Sequence, residues 1–172
     1  WHASGREVTL VHGESANIKV TFPGDMPLAE SLLAGSVEWR TGHGFDLHPL
    51  VPNRPLVLGG VHVPFNLGLE GHSDADCLCH AAADAILGAA GLPDIGTLFP
   101  ASDPVYKGVS SVPLFKEAVR KARMDGWAVR WIDMTLVAQV PRLSQHVPGI
   151  IDAFERYLEV PEGTRRVNLK VK

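Results

Sequence analysis

The 172-residue sequence has only two cysteines, no long apolar run and almost no excess of charge. Each shortage closes off a class of protein. Cys77 and Cys79 stand two apart. On a helix their side chains diverge by about 200° around the axis, so they cannot pair with each other. They read as two small buried hydrophobes. Unpaired thiols fit a reducing compartment, and the expected location is the cytoplasm. The most apolar stretch, 81–91, is interrupted by Asp84 and is too short to span a bilayer. No signal-peptide pattern is visible. A formal net charge of -3 leaves no basic footprint for nucleic acid. Neither a membrane nor a nucleic acid is an expected partner. Internal repeats and low-complexity tracts are also lacking. What is there is an ordinary globular composition, 45% hydrophobic and 20% charged, long enough for one domain and a little more.

Strands and helices alternate along the chain. Residues 7–21 read as one or two strands, with Val8, Leu10, Ile18 and Val20 as their apolar positions. Asp25 caps a short helix over 25–34 with Pro27 in its first turn, and Gly35 ends it. A linker over 35–38 leads to a strand over 39–47. Leu56-Val57-Leu58 and Val61-His62-Val63 flank Gly59-Gly60, a hairpin signal. A helix over 74–90 is rich in Ala and Gly, which allows a neighbouring backbone to approach closely. Residues 92–109 lack periodicity and read as a functional loop. Ser111 caps a helix with Pro113 in its first turn, running to about Asp125. A long strand over 127–139 follows, then a helix over 143–158 with Val147, Ile150, Ile151, Phe154 and Leu158 on one stripe. Residues 165–172 begin a last strand. The expected fold class is α+β, a mixed four-stranded-type sheet with helices packed on one face. Trp1 is not a Met, and Lys172 falls inside an alternating strand, so the sequence is expected to be an internal fragment.

Asp46, His48 and His80 carry the chemistry. In a strand, side chains alternate faces with period two, so Asp46 and His48 point the same way. Ser73 reads as the N-cap of the following helix with Asp76 in a capping box, and His80 lies about two turns in. One carboxylate and two imidazoles make an open, three-ligand metal site of the catalytic kind. Such a set suits zinc better than magnesium. On spacing alone, surface or satisfied core imidazoles remain the alternative. Asp84, one turn after His80, is placed to orient it or else is solvated.

The text around these residues is long and ordered: Gly42-His43-Gly44-Phe45-Asp46-Leu47-His48, Leu58-Gly59-Gly60-Val61, Gly71-His72-Ser73-Asp74-Ala75-Asp76, Leu87-Gly88-Ala89-Ala90, Asp94-Ile95-Gly96-Thr97-Leu98-Phe99-Pro100, Asp103-Pro104-Val105-Tyr106-Lys107-Gly108 and Ala138-Gln139-Val140-Pro141. This series resembles the 2-C-methyl-D-erythritol 2,4-cyclodiphosphate synthase family over roughly 41–172. The front, Val11-His12-Gly13-Glu14-Ser15-Ala16-Asn17-Ile18-Lys19-Val20-Thr21, is similar to the C-terminal tail of a methylerythritol phosphate cytidylyltransferase. Some bacteria fuse the two enzymes. The resemblance therefore divides the chain into a cytidylyltransferase tail plus linker at 1–38 and a synthase domain at 39–172.

The resemblance implies a reaction. The 2-phosphate of a cytidine diphosphate ester attacks its own β-phosphorus and CMP leaves. It implies zinc at Asp46, His48 and His80, and magnesium or manganese as a second ion. It makes His72 the catalytic residue that stabilises the transition state and Ser73 a phosphate contact. Asp94, Ile95 and Gly96 hold the erythritol hydroxyls. Phe99, Pro100, Ala101, Ser102 and Asp103, then Lys107, form a mobile substrate loop. Ala138, Gln139, Val140, Pro141 and Arg142 cradle cytosine, mostly through backbone groups. Lys19 matches a residual phosphate contact of the cytidylyltransferase. The family is a homotrimer with active sites between subunits, so the metal triad of one chain would meet the cytosine segment of another. Asp74 and Asp76 read as partners of the helix dipole. The family's Thr-Thr-x-Glu-type segment after Val167-Asn168-Leu169-Lys170 does not follow here, so this chain as given is expected to lack cyclase activity. Two other readings compete. One is a zinc hydrolase using His43 or His72 as base; the other is a non-catalytic module that binds metal and nucleotide.

Overall fold

The computed structural model describes residues 18–33 and 38–172. The chain divides into two units, Trp1–Trp39 and Arg40–Lys172. In the first, a 3-10 turn at Pro23–Asp25 leads into helix α1, Met26–Leu33. Asp25 stands at the end of that turn, and its carboxylate accepts from the N–H groups of Thr21 and Phe22, both at 2.9 Å. The strands expected over 7–17, and the Gly35 cap with the linker over 35–37, lie outside the described residues. Residues 18–20 form no strand.

The second unit holds all six strands of the described residues. β1 (Leu50–Pro52) pairs antiparallel with β4 (Leu67–Leu69), and β2 (Leu56–Leu58) with β3 (Val61–Val63). β5 (Ile132–Leu136) pairs in parallel with β6 (Val167–Val171). These are three two-stranded ladders rather than the single mixed sheet expected. The α+β class and the presence of both strand directions stand. The ladders are only three to five residues long.

The hairpin forms as the Gly-Gly signal requires. Gly59 and Gly60 take φ of 60° and 73°, a pair of left-handed residues that suits a two-residue turn. β5 buries Ile132, Met134 and Leu136 and turns Asp133 outward, where it bonds Asn168 at 2.8 Å and Lys170 at 2.7 Å. It covers only five of the thirteen residues expected. The flanking 127–131 and 137–139 lie outside the ladder, with Ala138 N still donating to the Lys172 carbonyl at 3.1 Å.

Four helices complete the unit: α2 (Cys77–Ala90), the short α3 (Ile95–Leu98), α4 (Ser111–Met124) and α5 (Val147–Tyr157). α2 and α4 pack along each other and supply much of the core, which includes Leu78, Cys79, Ala83, Leu87, Phe115, Ala118 and Ala122. Phe115 and Phe154 meet edge to face at 5.1 Å, joining α4 to α5. α5 starts four residues later than expected. Its stripe holds, with Ile150 and Phe154 fully buried. The functional loop over 92–109 carries two short turns of its own, α3 and a 3-10 turn at Pro104–Tyr106.

Residues 39–47 are not a hydrogen-bonded strand. The segment still alternates: Gly44, Asp46, His48 and Leu50 are half-buried, while His43, Phe45, Leu47 and Pro49 are exposed. Its partner is a helix rather than a strand. A Cβ on Gly42 would stand 2.8 Å from the Ala85 carbonyl carbon and 2.9 Å from Ala89 N. One on Gly44 would stand 2.8 Å from both the Ala81 carbonyl carbon and Ala85 N. Backbone thus packs on backbone, the close approach that the small residues of α2 permit.

Candidate functional site

That approach fixes where Asp46 lies. With Gly42 and Gly44 seated on α2, Asp46 reaches the first turn of the same helix. Its Oδ2 is 2.9 Å from His80 Nδ1 and 3.0 Å from His48 Nε2. The three donor atoms lie within 4.8 Å of one another, and all three residues are half-buried. Burial alone would raise the Asp46 carboxyl. The His80 hydrogen bond and the charges of both imidazoles outweigh it and hold Asp46 below its ordinary value of 3.8. Burial alone would lower His80. The bond and charge of Asp46 outweigh that and hold it above its ordinary value of 6.5.

The donor set fits a divalent metal. Ligand atoms around a tetrahedral zinc at about 2.0–2.1 Å stand roughly 3.3 Å apart, so the two Asp46 contacts need to lengthen by only a few tenths of an ångström. Tautomers also fit. His48 Nδ1 is 2.6 Å from the Glu70 carbonyl, an acceptor only, so Nδ1 carries a hydrogen and Nε2 is the nitrogen left for a metal.

Helix α2 is anchored differently from the expected capping box. Its N-cap is Asp76, and Ser73 lies outside the helix. Asp76 is fully buried and accepts four backbone N–H bonds. Leu78 at 3.2 Å and Cys79 at 3.1 Å are at the helix start; Gly59 at 2.8 Å and Gly60 at 2.6 Å are in the hairpin turn. Burial pushes this carboxyl up, and the donors pull against it. His80 therefore sits one turn into α2 rather than two. Asp74 is no simple dipole partner either. Its carboxylate accepts from the N–H of Ser111 at 3.0 Å and of Asp76 at 3.2 Å, and from the Ser111 hydroxyl. Ser111 is not the cap of α4; Ser110 is. Asp84 does not orient His80. Its carboxylate accepts from the N–H of Ile95, the first residue of α3, at 2.8 Å.

A cavity of about 580 Å³ opens beside the triad. Asp46 and His48 line one part of it, and Ala138, Gln139, Val140 and Pro141 another. Leu50, Leu56, Leu58 and Leu136 supply apolar wall. Its size is that of a small-molecule pocket. Arg142 is exposed and is not among the lining residues. Ser73 is buried, with Oγ 3.4 Å from His80 Nε2. His72 is exposed, and its carbonyl accepts from Gly108 N at 2.8 Å, tying this loop to the end of the 92–109 segment. Asp94 accepts from Thr97 N at 2.6 Å and Asp103 from Val105 N at 3.0 Å. Ile95 and Phe99 are half-buried; Gly96, Pro100, Ala101, Ser102 and Lys107 are exposed. In the first unit, Lys19 is exposed. Arg54 escaped notice in the sequence. Its guanidinium bonds the carbonyls of Gly71 at 2.9 Å and Ser73 at 2.6 Å and holds the loop in front of α2. A lone Arg beside a Pro carries no signal for that.

Known proteins are similar to this chain in sequence and in fold. A bifunctional enzyme IspD/IspF of Albidiferax ferrireducens is 41% identical over 191 residues, covering 99% of this chain and 45% of its own length. The chain thus spans less than half of that relative. A 2-C-methyl-D-erythritol 2,4-cyclodiphosphate synthase of Ralstonia nicotianae is 49% identical over 133 residues, covering 77% of this chain and 78% of its own. A solved structure of 2C-methyl-D-erythritol-2,4-cyclodiphosphate synthase in a CDP-bound form superposes with a TM-score of 0.71 at 37% identity, over 77% of this chain and 87% of that one. The YgbB family model matches residues 39–172. The chain belongs to the YgbB family, through the domain it shares with these cyclodiphosphate synthases.

Proposed function

We propose that the site converts 4-diphosphocytidyl-2-C-methyl-D-erythritol 2-phosphate to 2-C-methyl-D-erythritol 2,4-cyclodiphosphate and CMP. The convergence of His48 and His80 on one oxygen of Asp46 carries this reading. An oxygen of the 2-phosphate forms a bond to the β-phosphorus. The bond from that phosphorus to the bridging oxygen breaks, and CMP leaves with the electron pair. The nucleophile is already an anion, so no strong base is needed; positioning and charge neutralisation are. Asp46, His48 and His80 hold the ion, zinc by their chemistry. When bound, it supplies a Lewis acid and template for the phosphate oxygens. A second divalent ion, magnesium or manganese, would neutralise further phosphate charge.

Around it, the chain's own residues place the substrate. His72 and Ser73 lie at the loop before α2, where His72 meets the reacting phosphate. Asp94, Ile95 and Gly96 hold the erythritol end, 99–103 with Lys107 close over it, and Ala138 to Arg142 receive cytosine. The working form is a homotrimer with sites shared between subunits. The exposure of Phe45, Leu47 and Val137, at 75%, 78% and 76%, supports an apolar face for a second copy. Lys19 and its neighbours belong to the tail of a cytidylyltransferase domain joined in front, as in the bifunctional relatives. The reaction runs in the cytoplasm.

Phosphorus NMR on the protein that carries this domain, given the cytidine diphosphate ester with zinc and magnesium, tests the reading. Cyclic diphosphate and CMP are expected in equal amounts, with both lost on chelation. Linear hydrolysis products would point to the hydrolase reading. CMP release that survives chelation would refute the metal's role.

A further inference from the structure

Resting on the metal site just proposed, we infer that Ser111 and Asp74 form a relay that fixes the tautomer of His80 and aims its Nδ1 at the ion. His80 presents one ring nitrogen to Asp46, and the other, Nε2, stands 2.8 Å from Ser111 Oγ. The Ser111 hydroxyl donates to Asp74 Oδ1. An ionised carboxylate only accepts, so the single hydroxyl hydrogen is spent there. What Ser111 offers to His80 is a lone pair. Nε2 must then carry a hydrogen, so Nδ1 is the nitrogen that ligates, giving up to the ion the hydrogen it otherwise donates to Asp46. This is the pattern in which a metal-binding imidazole donates its far N–H to a held acceptor.

The acceptor is rigid. Ser111 is fully buried as the first residue of α4, and its own N–H donates to Asp74 Oδ2 at 3.0 Å. Asp74 is gripped in turn, since its N–H donates to the Val109 carbonyl at 3.0 Å. Both oxygens of Asp74 thus converge on one serine and lock it against α2. Ser73 is a poorer acceptor for His80. Its Oγ is 3.4 Å away and already accepts from Ala75 N at 3.1 Å. His48 has an equivalent device in the Glu70 carbonyl. Each imidazole is therefore held by a different element: His48 by the loop after β4, and His80 by the start of α4. The relay makes Ser111 a positioning residue, acting through His80 without touching substrate.

Ser111→Ala removes the acceptor and leaves the Ser111 N–H bond to Asp74 in place. Zinc affinity, measured by competition with a chromophoric chelator, is expected to fall by roughly 10–100-fold, the usual cost of losing such a partner. Imidazole nitrogen NMR on metal-free protein gives a second readout that needs no variant. The wild type should show His80 Nε2 protonated beside an Nδ1 that donates to Asp46, and Ser111→Ala should show less Nε2 protonation. Zinc binding within twofold of wild type in Ser111→Ala overturns the relay, as does a wild-type His80 with no hydrogen on Nε2. A wild type that binds no zinc sinks the metal reading instead, and the tautomer spectrum still decides the relay.

Discussion

Gly44→Ala probes the feature that builds the site. The new Cβ would stand 2.8 Å from Ala85 N and from the Ala81 carbonyl carbon, and closer still to the Ala81 oxygen. All three are backbone atoms of α2, so no rotamer change relieves the clash. Ordinary contact requires the 42–46 segment to lift by roughly 1–1.5 Å, an overpacking that costs about 1–3 kcal/mol. Asp46 lies two residues on. A lift of that size stretches its 2.9 and 3.0 Å contacts to about 4 Å, beyond hydrogen bonding. With a urea m-value of about 2 kcal/mol/M, the unfolding midpoint should drop by roughly 0.5–1.5 M. Zinc affinity should fall with it. Circular dichroism in urea and chelator competition measure the two effects. Gly88→Ala is the control on the same helix. Its Cβ meets nothing within 4 Å, and replacing a helical glycine should stabilise by about 0.5–1 kcal/mol. A midpoint for Gly44→Ala within about 0.3 M of wild type, with zinc binding unchanged, would refute the packing argument.

Other outcomes follow from single contacts. Asp76→Ala orphans four backbone donors between α2 and the hairpin; stability should fall by roughly 3 kcal/mol and the melting temperature by about 10 °C, and a shift under about 2 °C in calorimetry would contradict the buried cap. Cys77 is pushed up to about 12 by burial and by the Asp76 charge, so at pH 8 its thiolate is roughly 10⁻⁴ of the population against about a quarter for a free thiol. Labelling with a disulfide reagent should therefore run at least about 100-fold slower than with glutathione, and comparable rates would show the thiol to be open.

The period-two order of Asp46 and His48 was legible because burial alternates whether or not a ladder forms. The strand itself was not, because the partner of 42–44 is a helix backbone, and nothing local in Gly-x-Gly names which element it will meet. The Ala-rich face of α2 was the half of that contact visible in advance. The hairpin was legible from Gly59-Gly60, since its turn chemistry is local. The cap of α2 was misplaced at Ser73 because Asp76 wins through tertiary bonds to Gly59 and Gly60, some sixteen residues upstream. For the same reason Asp84 looked like a partner of His80 when its oxygen serves Ile95. Ser111 was seen only as a cap, and a neighbouring serine does that work. Its link to His80 crosses between two helices and leaves no mark in spacing.

Zinc absorption spectroscopy on protein reconstituted with one equivalent of the metal, beside His48→Ala, bears most directly on Asp46, His48 and His80 as one metal site. One tightly held zinc per chain is expected, with two imidazole nitrogens and oxygen at about 2.0–2.1 Å, and His48→Ala should lose the ion while keeping its fold. A wild-type spectrum without imidazole scattering, or a His48→Ala variant that keeps its zinc, would contradict the site.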